Sequence, residues 1–549
     1  MSPRPLVRQG PNAPLGFSGD SLVGRLKSGR KSFRISPALR IHSPERFPPS
    51  YFSGVIASQP VPEVIQDPHG YWLTRLLLYR GLGFICLIAF LVALNQFKPL
   101  LGERGLLPVP IFVKEVSFRR TPSLFFLWPR DIAFTTAAWI GIVLSCLVIA
   151  GIPQRVSTGL IAGVWLAIYL LYLSFVNVGQ TFYAFGWESI LLEACFFAMF
   201  LGSSKIAPPA ISIWLFRWLL FRVMFGAGLI KLRGDPCWRD LTCLDYYYET
   251  QPMPNPLSWY FHWAPRWINR GGVLFNHFAE VVIPFLYFLP QPAAGIAGLI
   301  TILFQFTILI SGNLSWLNWL TIVLAFSTLD GEFFRISAPA LSSAGATLRF
   351  ANIGMLVLTV LMSIPVVQNM ISRRQIMNTS FNPLHLVGSY GAFGSITRPR
   401  YEVIVEGTSD AVITPATRWR EYEFKGKPGD QHYRPPQIAP YHLRLDWLMW
   451  FAAMSSYQDY PWFVNFMAKL LENDQAVLSL LRKNPFAQAP PKYVRAMLYE
   501  YHFTTPEERK RTGAWWKRTL IGPYFPAVSM DMPGFRRVLE AQGWLAESR

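Results

Sequence analysis

The feature that most constrains the fold is a series of long apolar stretches separated by short polar segments. A bilayer core about 30 Å thick is crossed by about 20 apolar residues in a helix. Two of the stretches are short, and one of these contains Glu193, so the sequence predicts eight or nine spans. The candidate spans are residues 76–94, 132–152, 157–176, 188–201, 211–231, 272–289, 294–311, 317–329 and 353–370.

The start of the chain is polar, basic and Pro-rich. Residues 1–65 contain no early apolar run of the kind that marks a signal peptide, so we predict a disordered arm. Its Lys and Arg residues favour a cytoplasmic start, and an odd number of spans would place the end of the chain on the other side. The net charge of +19 in a chain with many spans indicates contact with anionic lipid headgroups rather than nucleic acid.

The end of the chain has a different pattern of apolar and polar residues. Alternating apolar and polar residues at 400–406 and 419–425 predict β-strands. Residues 441–455 and 461–471 are typical of amphipathic helices. We therefore predict a polytopic α-helical membrane bundle followed by a C-terminal mixed α/β extramembrane domain. The predicted boundaries are residues 1–65 for the arm, 66–370 for the bundle and 371–549 for the C-terminal domain.

Lys231 is the first candidate for chemistry. It lies near the end of a predicted span and seven residues after Met224, which itself lies seven after Arg217, so the three share a helix face. A charge at membrane depth usually faces a cavity or a partner. Lys231 could therefore project into an internal polar site, or it could extend along the span to the membrane surface. Gly226 and Gly228 would allow a neighbouring segment to approach closely.

A second set of polar residues lies within the spans. His277 and Glu280 are three residues apart and share one helix face, where they could form a proton relay or half of a metal site. The alternative is a buried polar pair that locks helices together. A di-iron site in a bundle uses Glu-x-x-His from two helices, and here the order is reversed and occurs once, so we predict no metal. Glu193 and Glu188 could join the same polar centre.

Cys237 and Cys243 lie in a polar loop and can form a short disulfide. A redox-active pair more often has Cys-x-x-Cys spacing. The spacing therefore favours a structural disulfide in an oxidising compartment, with a redox role as the alternative. Hydrolase elbows, phosphate-binding loops and dinucleotide fingerprints are not found, and no cofactor is predicted.

Several long motifs occur in the order found in one family. Residues 225–261 (FGAGLIKLRGDPCWRDLTCLDYYYETQPMPNPLSWYF) and 311–321 (SGNLSWLNWLT) resemble signatures of lipase maturation factors. Residues 102–108 (GERGLLP), 421–430 (EYEFKGKPGD) and 438–455 (IAPYHLRLDWLMWFAAMS) also fit. The resemblance extends from about residue 71 to residue 516.

The resemblance implies a role in the folding or assembly of secreted lipases. It also implies an endoplasmic reticulum membrane in a eukaryote, whereas a bacterial chain would lie in the plasma membrane. Membrane lipid and a lipase-like client are the expected partners. Within the C-terminal domain, the resemblance marks Arg444, Asp446 and Trp447 as candidate client-binding residues. Their alternative interpretation is a buried ion pair and a core aromatic side chain.

A shorter resemblance points to an enzyme. Residues 227–231 (AGLIK) are similar to a segment of vitamin K-dependent carboxylases in which a Lys acts as a base. A buried Lys with a lowered pKa can serve in that way. The two hypotheses are therefore a folding factor that binds clients and a carboxylase-like or oxidoreductase enzyme that uses Lys231, His277, Glu280 and Glu193.

Overall fold

The structure is a computed structural model that describes residues 70–337 and 339–545. These residues belong to one compact unit, Pro62–Arg549. The predicted arm at 1–65 lies outside the described residues.

Six helical segments are long and apolar enough to cross a membrane. The first begins beside Tyr71, and the second ends at Gly151, whose positive φ of 78° suits glycine. The third begins at Ser157, whose side chain accepts the backbone N–H of Leu160. The six segments are α1 (Trp72–Leu101), α3 (Asp131–Ala150), α5 (Thr158–Val178), α7 (Ala210–Arg233), α11 (Arg266–His277) with the turns that extend it to Phe288, and α14 (Ala346–Ile371).

Shorter apolar helices pack between these six. They are α6 (Gly186–Ala198), α12 (Ala293–Leu309) and α13 (Leu317–Ala325). The segment after α11 is a π-helical turn over Phe278–Val282 followed by a 3₁₀ segment over Ile283–Phe288. Short helices in the connections are α2 (Val109–Glu115), α4 (Ile152–Val156), α8 (Pro236–Arg239), α9 (Leu244–Thr250) and α10 (Ser258–His262). The fold is thus a membrane bundle, as the sequence predicts, with six helices of spanning length.

The C-terminal region contains both sheets and helices, which confirms the predicted mixed α/β content. Within the described residues, a four-stranded antiparallel sheet has the order β2-β1-β5-β6, and β3 pairs with β4. The strands are β1 (Arg400–Thr408), β2 (Arg420–Glu421), β3 (Glu423–Phe424), β4 (Leu481–Lys483), β5 (Tyr493–Phe503) and β6 (Trp516–Val528). The helices are α15 (Arg444–Ala452), α16 (Pro461–Leu471), α17 (Gln475–Leu478), α18 (Pro506–Thr512) and α19 (Pro533–Ala541).

The C-terminal region packs on the end of α1. Gln96 Nε2 donates to the carbonyl of His442, and Gln96 Oε1 accepts the backbone N–H of Arg444. The Asn465 amide donates to the carbonyls of Gly105 and Leu106 at 3.2 and 3.0 Å. One continuous apolar core therefore runs from the bundle into the C-terminal region.

Candidate functional site

Lys231 does not extend to the surface. Its ammonium is buried at the end of α7, 2.5 Å from Glu280 Oε1 and 2.9 Å from Asn276 Oδ1. The ring of Trp238 lies 5.1 Å away and offers its face to the same charge. The Lys231 ammonium thus has two hydrogen-bond partners and an aromatic neighbour.

His277 and Glu280 have different partners. His277 Nε2 lies 3.0 Å from the carbonyl of Trp238, whereas the Glu280 carboxylate binds Lys231 and Asn276. The two side chains thus tie the π-helical turn to α7 and to the loop after it. This is the arrangement expected of buried polar groups that lock helices together.

The disulfide Cys237–Cys243 closes that loop. Both cysteines are buried in a small apolar cluster with Trp238, and the Trp238 indole N–H donates to the carbonyl of Phe393 at 2.9 Å. Through this hydrogen bond, the loop after α7 is held against the segment that follows α14.

Glu193 belongs to a separate buried ion pair. Its carboxylate binds Arg222, and both side chains are fully buried. Glu193 Oε2 also accepts the Tyr390 hydroxyl at 2.8 Å and the Gly388 N–H at 3.2 Å. The loop that contains Gly388 and Tyr390 packs closely against α7 at Gly226. A Cβ at Gly226 would lie 2.3 Å from the Tyr390 carbonyl oxygen. Arg222 and Tyr390 were not candidates from the sequence.

Glu188 forms a third ion pair, with a residue of the C-terminal region. Arg444 Nη1 lies 2.8 Å from Glu188 Oε1, and both side chains are fully buried. The Tyr172 hydroxyl donates to the other carboxylate oxygen. The guanidinium carbon lies 3.4 Å from the centre of the Tyr183 ring. Glu188 and Glu193 therefore have partners of their own and do not join His277 and Glu280 in one polar centre.

The three candidate client-binding residues are buried. Arg444, Asp446 and Trp447 are exposed by 0%, 1% and 3%, so none presents a surface to a partner here. Asp446 Oδ1 accepts the backbone N–H groups of Gly426 and Lys427 at 2.6 and 3.1 Å. Burial raises the pKa of Asp446 to about 6.

Asn313 is a further residue that joins the two parts. Its side-chain oxygen accepts the N–H groups of Ile438 and Ala439, and its amide donates to the carbonyls of Pro254 and Pro436. Asn313 lies in the 311–321 motif, and that motif was the sequence feature from which its role could have been predicted.

A titratable cluster lies where β5 meets α9. Glu249 accepts His502 Nδ1 at 2.9 Å and the Phe503 N–H at 2.6 Å, with His262 Nε2 at 3.8 Å. His502 also lies 3.3 Å from Glu500. The hydrogen bond to Glu249 raises the pKa of His502, whereas burial lowers the pKa of His262.

The His502→Gln variant is expected to change how stability depends on pH. Because the folded pKa of His502 is raised, its pairing stabilises the fold fully below the unfolded pKa of about 6.5 and loses this effect as pH rises through the folded value. The side chain is 44% exposed, so solvent screening limits the effect to a few tenths of a kcal/mol. In thermal unfolding, the wild type should have a higher melting temperature than the variant at pH 6. The two melting temperatures should agree at pH 8.5. An equal difference at both values would contradict the assignment.

Two family models match this chain, one over the membrane bundle and one over the C-terminal region. A family model described as the lipase maturation factor transmembrane domain matches residues 73–336, and one described as the lipase maturation factor C-terminal domain matches residues 386–526.

Individual relatives match over most of their length. The chain is 44% identical over 515 residues to lipase maturation factor 1 of Bos taurus, covering 85% of this chain and 91% of the relative. It is 43% identical to the Homo sapiens protein of that name, covering 86% and 90%. Lipase maturation factor 2 of Xenopus laevis is 29% identical, covering 86% and 84%. No solved structure gives a significant match.

Proposed function

The chain belongs to the lipase maturation factor family, and we propose on this basis that it assists the folding, assembly or maturation of secreted lipases. The observation that carries the proposal is the match to named relatives across both the bundle and the C-terminal region. Lys231 is held by Glu280 and Glu193 by Arg222, which supports a structural role for these charges.

We propose nine crossings, in which α6, α12 and α13 join the six long segments. The two ends of α1 support this count. Near its start, the Thr74 hydroxyl donates to the carbonyl of Leu329, just after α13. Near its end, Gln96 contacts His442 of the C-terminal region. In this arrangement α1 begins on one side of the membrane, and the C-terminal region lies on the other.

The basic residues of 1–65 favour a cytoplasmic start. The C-terminal region would then face the lumen of the endoplasmic reticulum in a eukaryote, or the outside of the plasma membrane in a bacterium. A lumenal position agrees with the Cys237–Cys243 disulfide. The expected partners are a lipase client and membrane lipid, with no nucleic acid. Within this scheme Arg444, paired with Glu188, and Trp447, packed against Trp187, fix the C-terminal region in place rather than contact the client.

Secretion of active lipase from a host without its own maturation factor tests the proposal. The intact chain is expected to restore secretion, and a chain ended after Arg398 is expected to fail. This end point retains Gly388 and Tyr390, which complete the Glu193 site. Since this chain also lacks Arg444, the partner of Glu188, it should carry Glu188→Gln. Failure reports loss of the C-terminal region when this shortened chain still accumulates folded in the membrane.

The control is the double variant Lys231→Met with Glu280→Gln, which removes both charges of the pair together and leaves no unpaired ion. It should keep at least half of the wild-type secretion. Loss of secretion in a double variant that still accumulates folded in the membrane would instead favour an intramembrane chemical site. Full secretion by the shortened chain would contradict the proposed role of the C-terminal region.

A further inference from the structure

A cavity of about 430 Å³ lies between α1 and the C-terminal region. Asn95 and Gln96 of α1 form one side of it, and the C-terminal region forms the rest. The lining residues from that region are Lys425, Tyr441, Leu443, Leu445, Asp446, Ser479 and Leu480. Polar and apolar groups therefore share one concave site.

In the proposed arrangement of crossings, on which this inference rests, the cavity lies near the membrane surface. Lys98, in the last turn of α1, lies 3.6 Å from Asp131, the first residue of α3. This pair marks the ends of two spans, where headgroups replace acyl chains. Asn95 is three residues earlier on α1, so the cavity is within reach of a lipid headgroup.

Asp446 provides an open acceptor in the cavity. Its side chain is buried, and its Oδ1 is engaged by two backbone N–H groups. Nothing in the described part of the chain donates to Oδ2. With a pKa of about 6, the carboxylate is mostly ionised at neutral pH. A ligand N–H could therefore donate to Oδ2.

Lys425 provides the opposite charge. Its ammonium donates to the carbonyl of Ser479 at 2.6 Å, which leaves two N–H groups for another acceptor. Leu443, Leu445 and Leu480 supply apolar surface beside these charges. The site thus offers an anion, a cation and an apolar wall to one ligand.

We propose that this cavity binds the headgroup of a zwitterionic aminophospholipid, with its ammonium on Asp446 and its phosphate on Lys425. Phosphatidylethanolamine has this chemistry. Phosphatidylcholine has no N–H group for the Asp446 carboxylate, and phosphatidylglycerol has no cation. The acyl chains would lie along α1 toward the bilayer core.

Native mass spectrometry of the full chain in detergent tests the proposal with added dioleoyl phosphatidylethanolamine, phosphatidylcholine and phosphatidylglycerol. The ethanolamine lipid should bind about tenfold or more tightly than the other two. Asp446→Asn retains the acceptor for Gly426 and Lys427 but loses the charge, so it should weaken ethanolamine lipid binding by about tenfold or more. The exposed Asp531→Asn is the matched control and should not change binding.

Three results would overturn the proposal. Asp446→Asn could bind the ethanolamine lipid as tightly as the wild type, or the choline lipid could bind equally well. Soluble phosphoethanolamine could bind as tightly as the lipid, which would assign the site to a water-soluble ligand. Should Asp446→Asn fail to fold, the exposed Lys425→Gln still tests the phosphate half, since it should also weaken binding severalfold.

Discussion

Replacing Arg444 with Met is expected to lower the free energy of unfolding by roughly 3–5 kcal/mol and to abolish secretion of active lipase. The magnitude is that of breaking a buried ion pair by removing one partner. Arg444 is the partner of Glu188, and it is the only ionic link that the described residues provide between α6 and the C-terminal region. Chemical unfolding of the purified chain in detergent measures the first effect, and the secretion assay measures the second.

The expected loss is large because no neighbouring cation can replace Arg444. His442 Nδ1 lies 3.9 Å from Glu188, but burial, with a further contribution from the Arg444 guanidinium, lowers the pKa of His442 well below its usual value. Burial is the larger cause and persists without Arg444, so the imidazole remains a poor substitute for the guanidinium. Without Arg444, Glu188 would retain only the Tyr172 hydroxyl as a donor among the described residues.

Two variants control this prediction. Lys517→Met breaks the exposed ion pair between Lys517 and Glu508 and should cost less than about 1 kcal/mol. The double variant Glu188→Gln with Arg444→Met removes both buried charges and should recover part of the loss. If Arg444→Met unfolded within 1 kcal/mol of the wild type, the ion pair would not be what holds the C-terminal region in place.

The sequence predicted the bundle well because the hydrophobic signal is local. The candidate spans at 157–176 and 211–231 lie almost within α5 and α7. The segment at 272–289 was harder, since α11 begins at Arg266 with exposed polar residues and then changes to π-helical and 3₁₀ turns. Such changes depend on packing, which periodicity does not report.

Several charged residues within spans were found by their rarity, but Arg222 and the pairing of the others were not. Arg222 pairs with Glu193 from 29 residues away, and Arg444 pairs with Glu188 from 256 residues away. A helix face can be predicted from spacing, whereas the helix that it meets depends on the complete fold. For this reason Glu188 and Glu193 were grouped with His277 and Glu280, although each has its own partner.

The long hairpin of β5 and β6 was missed entirely. β6 contains Gly522, Pro523 and Pro526, which normally argue against a strand. Its position at the edge of the sheet tolerates them, because one side of the strand needs no hydrogen-bond partner. By contrast, β1 lies inside the sheet, alternates regularly and was predicted.

Replacing Arg222 with Met is expected to prevent accumulation of folded protein in the membrane, with a loss of roughly 3–5 kcal/mol in the free energy of unfolding. Arg222 binds Glu193, and its Nη1 also donates to the Gly388 carbonyl at 2.8 Å. The bilayer core contains no water to solvate a carboxylate that has lost its ion-pair partner. Glu193 would be left with the Tyr390 hydroxyl and the Gly388 N–H alone.

A graded series separates the charge from the hydrogen bonds. Tyr390→Phe removes one hydrogen bond to the Glu193 carboxylate and should cost about 1.5–3 kcal/mol, so it should fold but melt earlier. Arg233→Met makes the same replacement at the exposed end of α7, where Arg233 donates to carbonyls, and should cost about 1 kcal/mol. Protease resistance and yield in isolated membranes should fall in the order Arg233→Met, Tyr390→Phe, Arg222→Met. Equal yields for Arg222→Met and Arg233→Met would mean that the buried charge of Glu193 finds another partner, and the assigned role of Arg222 would be wrong.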